Sequence, residues 1–262
     1  MLKLLKYEWK ACARTCLPLY GVLILMSLIS RILYVIPKNT SLYFMLPAIS
    51  SMLYMGVMMA AFVVTAVILI QRFYKNLLGS EGYLMFTLPV TVTQHLLSKT
   101  IIAVVMIGLS GLSALISIGI FADMSFGALF VDMIKGVARS GGLLFGLELL
   151  VLAVLGIAGM ALFLYMCIAL GHLASRHRLL MSIVWYVVLS TALQVLLLMV
   201  MMGAGNAVPE PFVDWMKVWW SGITPMGAAH LMLRFCCVFT LLSDAVYFLV
   251  TRWILVHKLN LE

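Results

Sequence analysis

Charged residues are scarce in this 262-residue chain: Asp, Glu, Lys and Arg make up 10% of it, against about 25% in a typical soluble domain. Hydrophobic residues make up 65%, and the mean hydropathy is +1.17. A transmembrane helix needs about 20 mostly apolar residues. We predict such spans at Leu17–Ile36, Tyr43–Ile70, Thr100–Phe121, Gly141–Leu170, Leu179–Met202 and Pro225–Val250. The sequence thus predicts an all-α polytopic membrane protein with six transmembrane helices in a single domain, residues 1–262, and no room for a soluble catalytic domain.

Several motifs that would indicate chemistry are also missing. The chain has no GxxxxGK[ST] loop, so we expect no site for ATP phosphates of its own. It also lacks HExxH and the paired-cysteine spacings of zinc sites, so we predict no metal site. The five cysteines fall in the N-terminal leader or in predicted spans, which implies no disulfide framework. We interpret them as small apolar filler: Cys12, Cys16, Cys167, Cys236 and Cys237.

The net charge of +8 is placed as a membrane protein places it, which argues against a nucleic-acid partner. Most of the 17 Lys and Arg residues fall on one predicted side of the membrane. The other side carries Lys38, Lys135, Arg139 and Lys217. Because cytoplasmic loops carry the excess of basic residues, we predict that both termini lie in the cytoplasm.

Residues 1–16 have the pattern of an amphipathic helix. An apolar face adjoins a basic stripe, and a helix of this kind lies in the lipid interface. The apolar face contains Leu2, Leu5, Trp9, Cys12 and Cys16, and the basic stripe contains Lys3, Lys6, Lys10 and Arg14. We therefore predict an N-terminal interfacial helix that bends at Pro18 into the first span. The alternative is a soluble helical tail.

Residues 72–99 form the longest interruption between predicted spans, and we interpret them as a cytoplasmic connector. Gly79 is suited to end the incoming helix. Thr91 and Gln94 have the spacing of a capping box at the start of the next helix. Between these signals, the segment SEGYLMFTL gathers large apolar residues around the single acid Glu81. Since loops in water seldom do this, the segment predicts a binding surface.

The connector sequence RFYKNLLGSEGYLMFTLPVT resembles the first cytoplasmic loop of small permease subunits of bacterial type 2 ABC exporters, and the terminal KLNLE resembles the end of the same group. In that family the loop supplies a coupling helix that docks on a separate ATPase subunit. The resemblance implies coupling residues at Glu81, Gly82, Tyr83, Leu84, Thr87, Leu88 and Pro89. It further implies that the partner binds ATP and Mg²⁺, that a second permease completes a homo- or heterodimer, and that the chain lies in the inner membrane.

Two further segments acquire expectations from this resemblance. The second cytoplasmic loop would give the ATPase additional contacts at Arg176 and Arg178, although a basic loop is also what topology alone requires. The fifth span would line the substrate path with Ser190, Thr191 and Gln194, and the alternative is that these side chains form interhelical hydrogen bonds. Amphipathic or antimicrobial peptides are plausible cargo for the family, but no residue here identifies a substrate.

The outer loop 203–224 carries aromatic residues at helical spacing. They are Phe212, Trp215, Trp219 and Trp220, with Met216 among them. Tryptophan favours the membrane interface. The pattern is compatible with a re-entrant helix, which the family has here, or with a helix that lies on the surface.

Glu148 and Arg234 lie at equal depth in two different predicted spans, so we predict that they form an intramembrane ion pair. Asp244 lies about 15 Å deeper along the same helix as Arg234 and faces another side. Ionisable residues near mid-membrane are what an ion-coupled secondary carrier requires. That class of protein and a membrane scaffold without transport therefore remain alternatives to the exporter.

A remote alternative is an intramembrane serine protease. Gly108–Gly111 matches the GxSG motif of rhomboid proteases, which would make Ser110 the nucleophile and His230 its base. The glycines that should follow His230 are absent, and the second span has no histidine or asparagine for an oxyanion site. Small residues at these positions more often allow close helix packing.

Overall fold

Six long helices make up the computed structural model, which describes residues 2–35, 42–75, 91–122, 131–132, 135–136, 142–174, 177–207, 222 and 224–257. They are α1 (Leu2–Val35), α2 (Leu42–Phe73), α3 (Val92–Phe121), α4 (Gly142–His172), α5 (Arg178–Ala207) and α6 (Pro225–His257). All six are long and apolar enough to cross a membrane. The predicted fold class, an all-α polytopic membrane protein with six transmembrane helices, is confirmed.

Helix α1 differs from the prediction at its start. It runs without a break from Leu2 to Val35 and contains Pro18, so a separate interfacial helix over residues 1–16 is not confirmed. The reason is visible in the packing on either side of the proline. Cys12, Cys16 and Tyr20 are all buried and recur every four residues, so one packed face continues across Pro18. At about 1.5 Å per residue, the 34 residues span about 51 Å, well beyond the roughly 30 Å of a bilayer core.

By its internal contacts the chain divides into two compact units. Unit 1, Met1–Gly136, contains α1, α2 and α3, and unit 2, Val137–Glu262, contains α4, α5 and α6. Within unit 1 each helix packs against the other two. Within unit 2, α4 packs against both α5 and α6.

Polar side chains connect the three helices of unit 1. The Tyr20 hydroxyl on α1 lies 3.1 Å from Thr65 Oγ1 on α2 and donates to the Met106 carbonyl on α3 at 3.1 Å. Nearer the other end, the Tyr54 hydroxyl lies 2.9 Å from Ser117 Oγ, and its ring stacks on Phe121 at 5.1 Å. Because lipid tails are as apolar as the helices, hydrogen bonds of this kind help to hold membrane helices together.

Glycines allow close packing in unit 2. At Gly171, near the end of α4, a Cβ would collide with the hydroxyl and backbone of Ser182 on α5. At Gly159, in the middle of α4, a Cβ would collide with the carboxylate of Asp244 on α6. Small residues at such points let membrane helices approach each other. These two glycines therefore mark points of close contact between α4 and its neighbours.

The loops give a mixed outcome. The capping box is confirmed: Thr91 Oγ1 accepts from the Gln94 amide, and the Gln94 side chain accepts from the Thr91 amide. Helix α3 therefore begins eight residues before the predicted span. Helix α5 continues to Ala207, so residues 203–207 of the predicted outer loop are helical. Gly79 and the aromatic residues of the outer loop lie outside the described residues.

Candidate functional site

Three charged residues, one from each helix of unit 1, are in ionic contact at one end of that unit. Glu8 Oε2 lies 3.0 Å from Arg72 Nη1, and Glu8 Oε1 lies 2.9 Å from Lys99 Nζ. The side chains of Lys99 and Glu8 are only 4% and 8% exposed, whereas that of Arg72 is 29% exposed. We call these three residues the Glu8 ion cluster. It contains two cations and one anion, so its formal charge is +1.

The position of Glu8 follows from the buried face of α1. Glu8, Cys12 and Cys16 are spaced by four residues, which places them on one side of the helix. That side packs against α2 and α3. Arg72 is at the end of α2 and Lys99 is in the second turn of α3, so the two cations are the first and last residues of the connector. One carboxylate thereby fixes both ends of the connector to α1.

Sequence reasoning used Arg72 and Lys99 only as indicators of topology and did not identify Glu8. A signal was present: Glu8 is the only acid before residue 81, and it stands among the basic residues of the leader. Its partners are 64 and 91 residues away. No periodicity or motif spacing reports contacts over such separations.

The coupling residues implied by the resemblance lie outside the described residues. This holds for Glu81, Gly82, Tyr83, Leu84, Thr87, Leu88 and Pro89 in the connector and for Arg176 in the second loop. Arg178 is described. It is exposed at the start of α5, and its Nη1 lies 3.3 Å from Nε2 of His172 at the end of α4. Its guanidinium is thus accessible from outside the chain.

The polar residues of α5 bond within their own helix. Ser190 and Thr191 both donate to the Val187 carbonyl, at 3.0 and 2.7 Å. Thr191 and Gln194 are exposed, whereas Ser190 is half-buried and lines a groove between the helices of unit 2. The structure therefore satisfies these hydroxyls without the interhelical bonds that the alternative interpretation required.

The predicted contact between Glu148 and Arg234 is present, with Arg234 Nε 2.7 Å from Glu148 Oε1. A third residue joins them: His230 Nδ1 lies 2.6 Å from Glu148 Oε2, one turn before Arg234 on α6. We call these three residues the Glu148 ion cluster. The side chain of Arg234 is 68% exposed and that of Glu148 is 15% exposed. The sequence indicates His230 only as a protease base and does not predict this contact.

The residues of the protease alternative have other partners. The Ser110 hydroxyl is buried and donates to the Ile107 carbonyl of its own helix at 2.7 Å. His230 is engaged with Glu148. Each contact explains the presence of the residue without a catalytic role. The contacts provide no support for a nucleophile and base pair.

Within the described residues, no three His, Cys, Asp or Glu side chains are grouped so that they could hold a metal ion. Comparisons of the chain with protein-family models, with curated proteins and with solved structures gave no match. Any assignment of function therefore depends on the sequence and on the contacts described above.

Proposed function

We propose that this chain is the transmembrane permease subunit of an ATP-driven exporter of the type 2 ABC class. In this proposal it works as a dimer of permeases with separate ATPase subunits that bind ATP and Mg²⁺. The chain lies in the bacterial cell membrane with both termini in the cytoplasm. Its support is the resemblance of the connector, and the observation that carries it is the Glu8 ion cluster.

The cluster gives the connector a mechanical role. The connector joins α2 to α3, and Glu8 contacts a cation on each of these helices. A displacement imposed on the connector is therefore opposed or transmitted by α1, α2 and α3 together. Packed elements shift as units because close-packed interiors transmit strain. An ATPase that pushes on this loop would tilt all of unit 1.

Burying the charges of Glu8 and Lys99 costs free energy. Removing Lys99 and Glu8 from water carries a desolvation penalty that a surface ion pair avoids. One role for these buried charges would be to anchor both ends of a loop that an ATPase pushes. Such an anchor requires close contacts with little exposure, as between Glu8 and Lys99.

The test is purification of the full chain in mild detergent from its native membrane, followed by measurement of bound ATPase activity. We expect an ATPase to accompany the wild-type chain. Glu81→Lys and Gly82→Pro should each abolish ATPase binding and ATP-dependent export while the chain still folds. The matched control is Lys135→Glu, a charge reversal on the opposite predicted side, which should retain the ATPase. Wild-type binding and export in both connector variants would refute the coupling assignment.

One observation favours the second candidate, an ion-coupled carrier. Asp244 is a buried acid in the middle of α6, and neither of its carboxylate oxygens has a hydrogen-bond partner among the described residues. A carrier would use such a group to bind the coupling ion. Transport that is driven by an ion gradient in liposomes containing this chain alone would select the carrier over the exporter.

A further inference from the structure

Unit 2 contains a groove of about 380 Å³ whose walls come from α4, α5 and α6. The residues that matter most for its chemistry are Phe163, Ser190, Thr240, Ser243, Asp244 and Tyr247. Its volume lies at the lower end of the range of small-molecule sites, which is roughly 300–1,000 Å³. No Lys, Arg or His is among its described lining residues. Among the described residues, its lining therefore has one acidic and no basic side chain.

The acid is Asp244, which is 8% exposed. Among the described residues, both of its oxygens are buried and neither has a hydrogen-bond partner. On one side the carboxylate lies directly against Gly159 of α4, where a Cβ would collide with Oδ1. The glycine thus makes the space into which the carboxylate fits. A buried polar group without a partner is costly, so a ligand that satisfies this side chain would lower its cost.

The hydroxyl groups around Asp244 present acceptors to the groove. Thr240, Ser243, Asp244 and Tyr247 are spaced by three and four residues, which places them on one face of α6. The Thr240 and Ser243 hydroxyls donate their protons to the carbonyls of Cys236 and Phe239, at 2.7 and 3.0 Å. Their oxygens keep free lone pairs. The polar part of the groove therefore favours a ligand that donates hydrogen bonds and carries positive charge.

The remaining wall is aromatic and apolar. The rings of Phe163 and Tyr247 meet edge to face with centroids 5.4 Å apart, and Met160, Leu193 and Phe239 also line the groove. Aromatic rings attract a cation near their faces. Apolar walls favour a ligand with an apolar body. A bare or hydrated metal ion would use the carboxylate but would gain little from this wall.

We propose that the groove of unit 2 binds an organic ammonium ion, that is, a small amine with an apolar body. The ammonium donates hydrogen bonds to Asp244 and to the oxygens of neighbouring hydroxyls, and the apolar body lies against Phe163 and Tyr247. The positive charge of the ligand offsets the cost of the buried carboxylate. The site belongs to unit 2 alone, so it does not depend on what drives transport or on an ATPase partner.

The experiment measures binding of 2-phenylethylammonium to the full chain in nanodiscs of neutral lipid, with empty nanodiscs as blank. The neutral isostere 2-phenylethanol is the matched probe. We expect saturable binding of the ammonium to the wild type. Asp244→Asn keeps the shape and removes the charge, and it should weaken ammonium binding by at least about tenfold because a charge-assisted hydrogen bond is lost. Its effect on 2-phenylethanol should be less than about twofold.

Two variants complete the design. Asp132→Asn removes an exposed acid from unit 1 and should leave both affinities unchanged. Gly159→Ala should displace the carboxylate and also weaken ammonium binding, with a thermal unfolding scan to show that the protein is folded. Three results would overturn the proposal: no saturable binding of the ammonium to the wild type, unchanged affinity in Asp244→Asn, or equal loss of both probes in that variant. Displacement of the ammonium by an equal concentration of Na⁺ would also overturn it and would assign the carboxylate to a metal cation.

Discussion

Two helices of unit 2, α5 and α6, are much less buried than the three helices of unit 1. In the most apolar stretch of α3, 39% of the residues are buried, whereas in α5 none is and in α6 only 6% are. In unit 1, polar side chains such as Tyr20 and Tyr54 cross from one helix to another. In unit 2 the hydroxyls of α5 and α6 mostly return to their own backbone. Unit 1 is held by contacts between its helices, while α5 and α6 leave most of their surface for lipid or protein.

This difference shows that hydropathy alone does not decide how a membrane helix is used. The most apolar stretches of α2, α3 and α4 have the same mean hydropathy. Specific side chains therefore decide which face of each helix is buried. In unit 1 those side chains form the Glu8 ion cluster and the hydrogen bonds between helices. In unit 2 they are glycines that allow close approach, together with the Glu148 ion cluster at the start of α6. Single substitutions should separate these two modes of packing.

Glu8→Gln should have the largest effect. It leaves the Lys99 ammonium, only 4% exposed, without its counter-charge, and breaking a buried ion pair from one side costs about 3–5 kcal/mol. Unfolding of the detergent-solubilised chain measures the loss. Lys10→Gln changes an exposed charge on the same helix and should differ from the wild type by less than about 0.5 kcal/mol. Equal stability of the two variants would show that the Glu8 ion cluster does not hold unit 1.

Gly171→Ala should come next, because the new Cβ collides with the backbone of Ser182 and has to push α4 and α5 apart. Overpacking of this kind costs about 1–3 kcal/mol. The control is Gly156→Ala on the same helix, where a Cβ has no atom within 4 Å. That variant should be neutral or stabilised by up to about 1 kcal/mol through helix propensity. The same unfolding assay applies, and a destabilised control with an unaffected Gly171→Ala would contradict the packing of unit 2.

The Glu148 ion cluster should give a smaller effect than Glu8, since Arg234 is largely exposed. Glu148→Gln removes the partner of both His230 and Arg234, so it should lower the unfolding midpoint more than Arg234→Gln does. The charge swap Glu148→Arg with Arg234→Glu should recover part of the loss seen in the single swaps. A double swap no more stable than the sum of its single variants would show that the two residues are not coupled.

Ser110→Ala should have the smallest effect. Its hydroxyl donates to the carbonyl of Ile107 in its own turn, so we expect a change below about 1 kcal/mol. A serine-directed fluorophosphonate should not label Ser110 in the wild type. Labelling that disappears in His230→Ala would instead establish the protease alternative.

The sequence predicted the six helices well because apolar runs long enough to cross a bilayer are rare outside membrane spans. Their ends were predicted less well. Helix α3 starts at Val92, as the capping box at Thr91 predicted, whereas hydropathy placed the start of the span only at Thr100. The turns between these two positions include His95 and Lys99, which are buried by packing. Hydropathy locates the membrane core of a helix, whereas caps and tertiary contacts determine where it begins.

The candidate sites show the same limit. Glu148 and Arg234 could be paired from the sequence because equal depth on two helices is a simple geometric constraint. Glu8 could not be paired, since its partners depend on how α1 packs against two other helices. The groove at Asp244 was not predicted for a similar reason. The depth of Asp244 along its helix follows from the sequence, but the space that Gly159 leaves for its carboxylate does not.

The contrast between the two units is tested most directly by the native thiols of the full chain. In unit 1, Cys12 and Cys16 are 1% and 0% exposed, whereas Cys236 on α6 is exposed. The measurement is the time course of labelling by a membrane-permeant maleimide in mild detergent, with each site quantified by mass spectrometry. We predict that Cys236 is labelled while Cys12 and Cys16 stay protected, and that Glu8→Gln releases Cys12. Labelling of Cys12 at the rate of Cys236 in the wild-type chain would contradict the closed packing of unit 1.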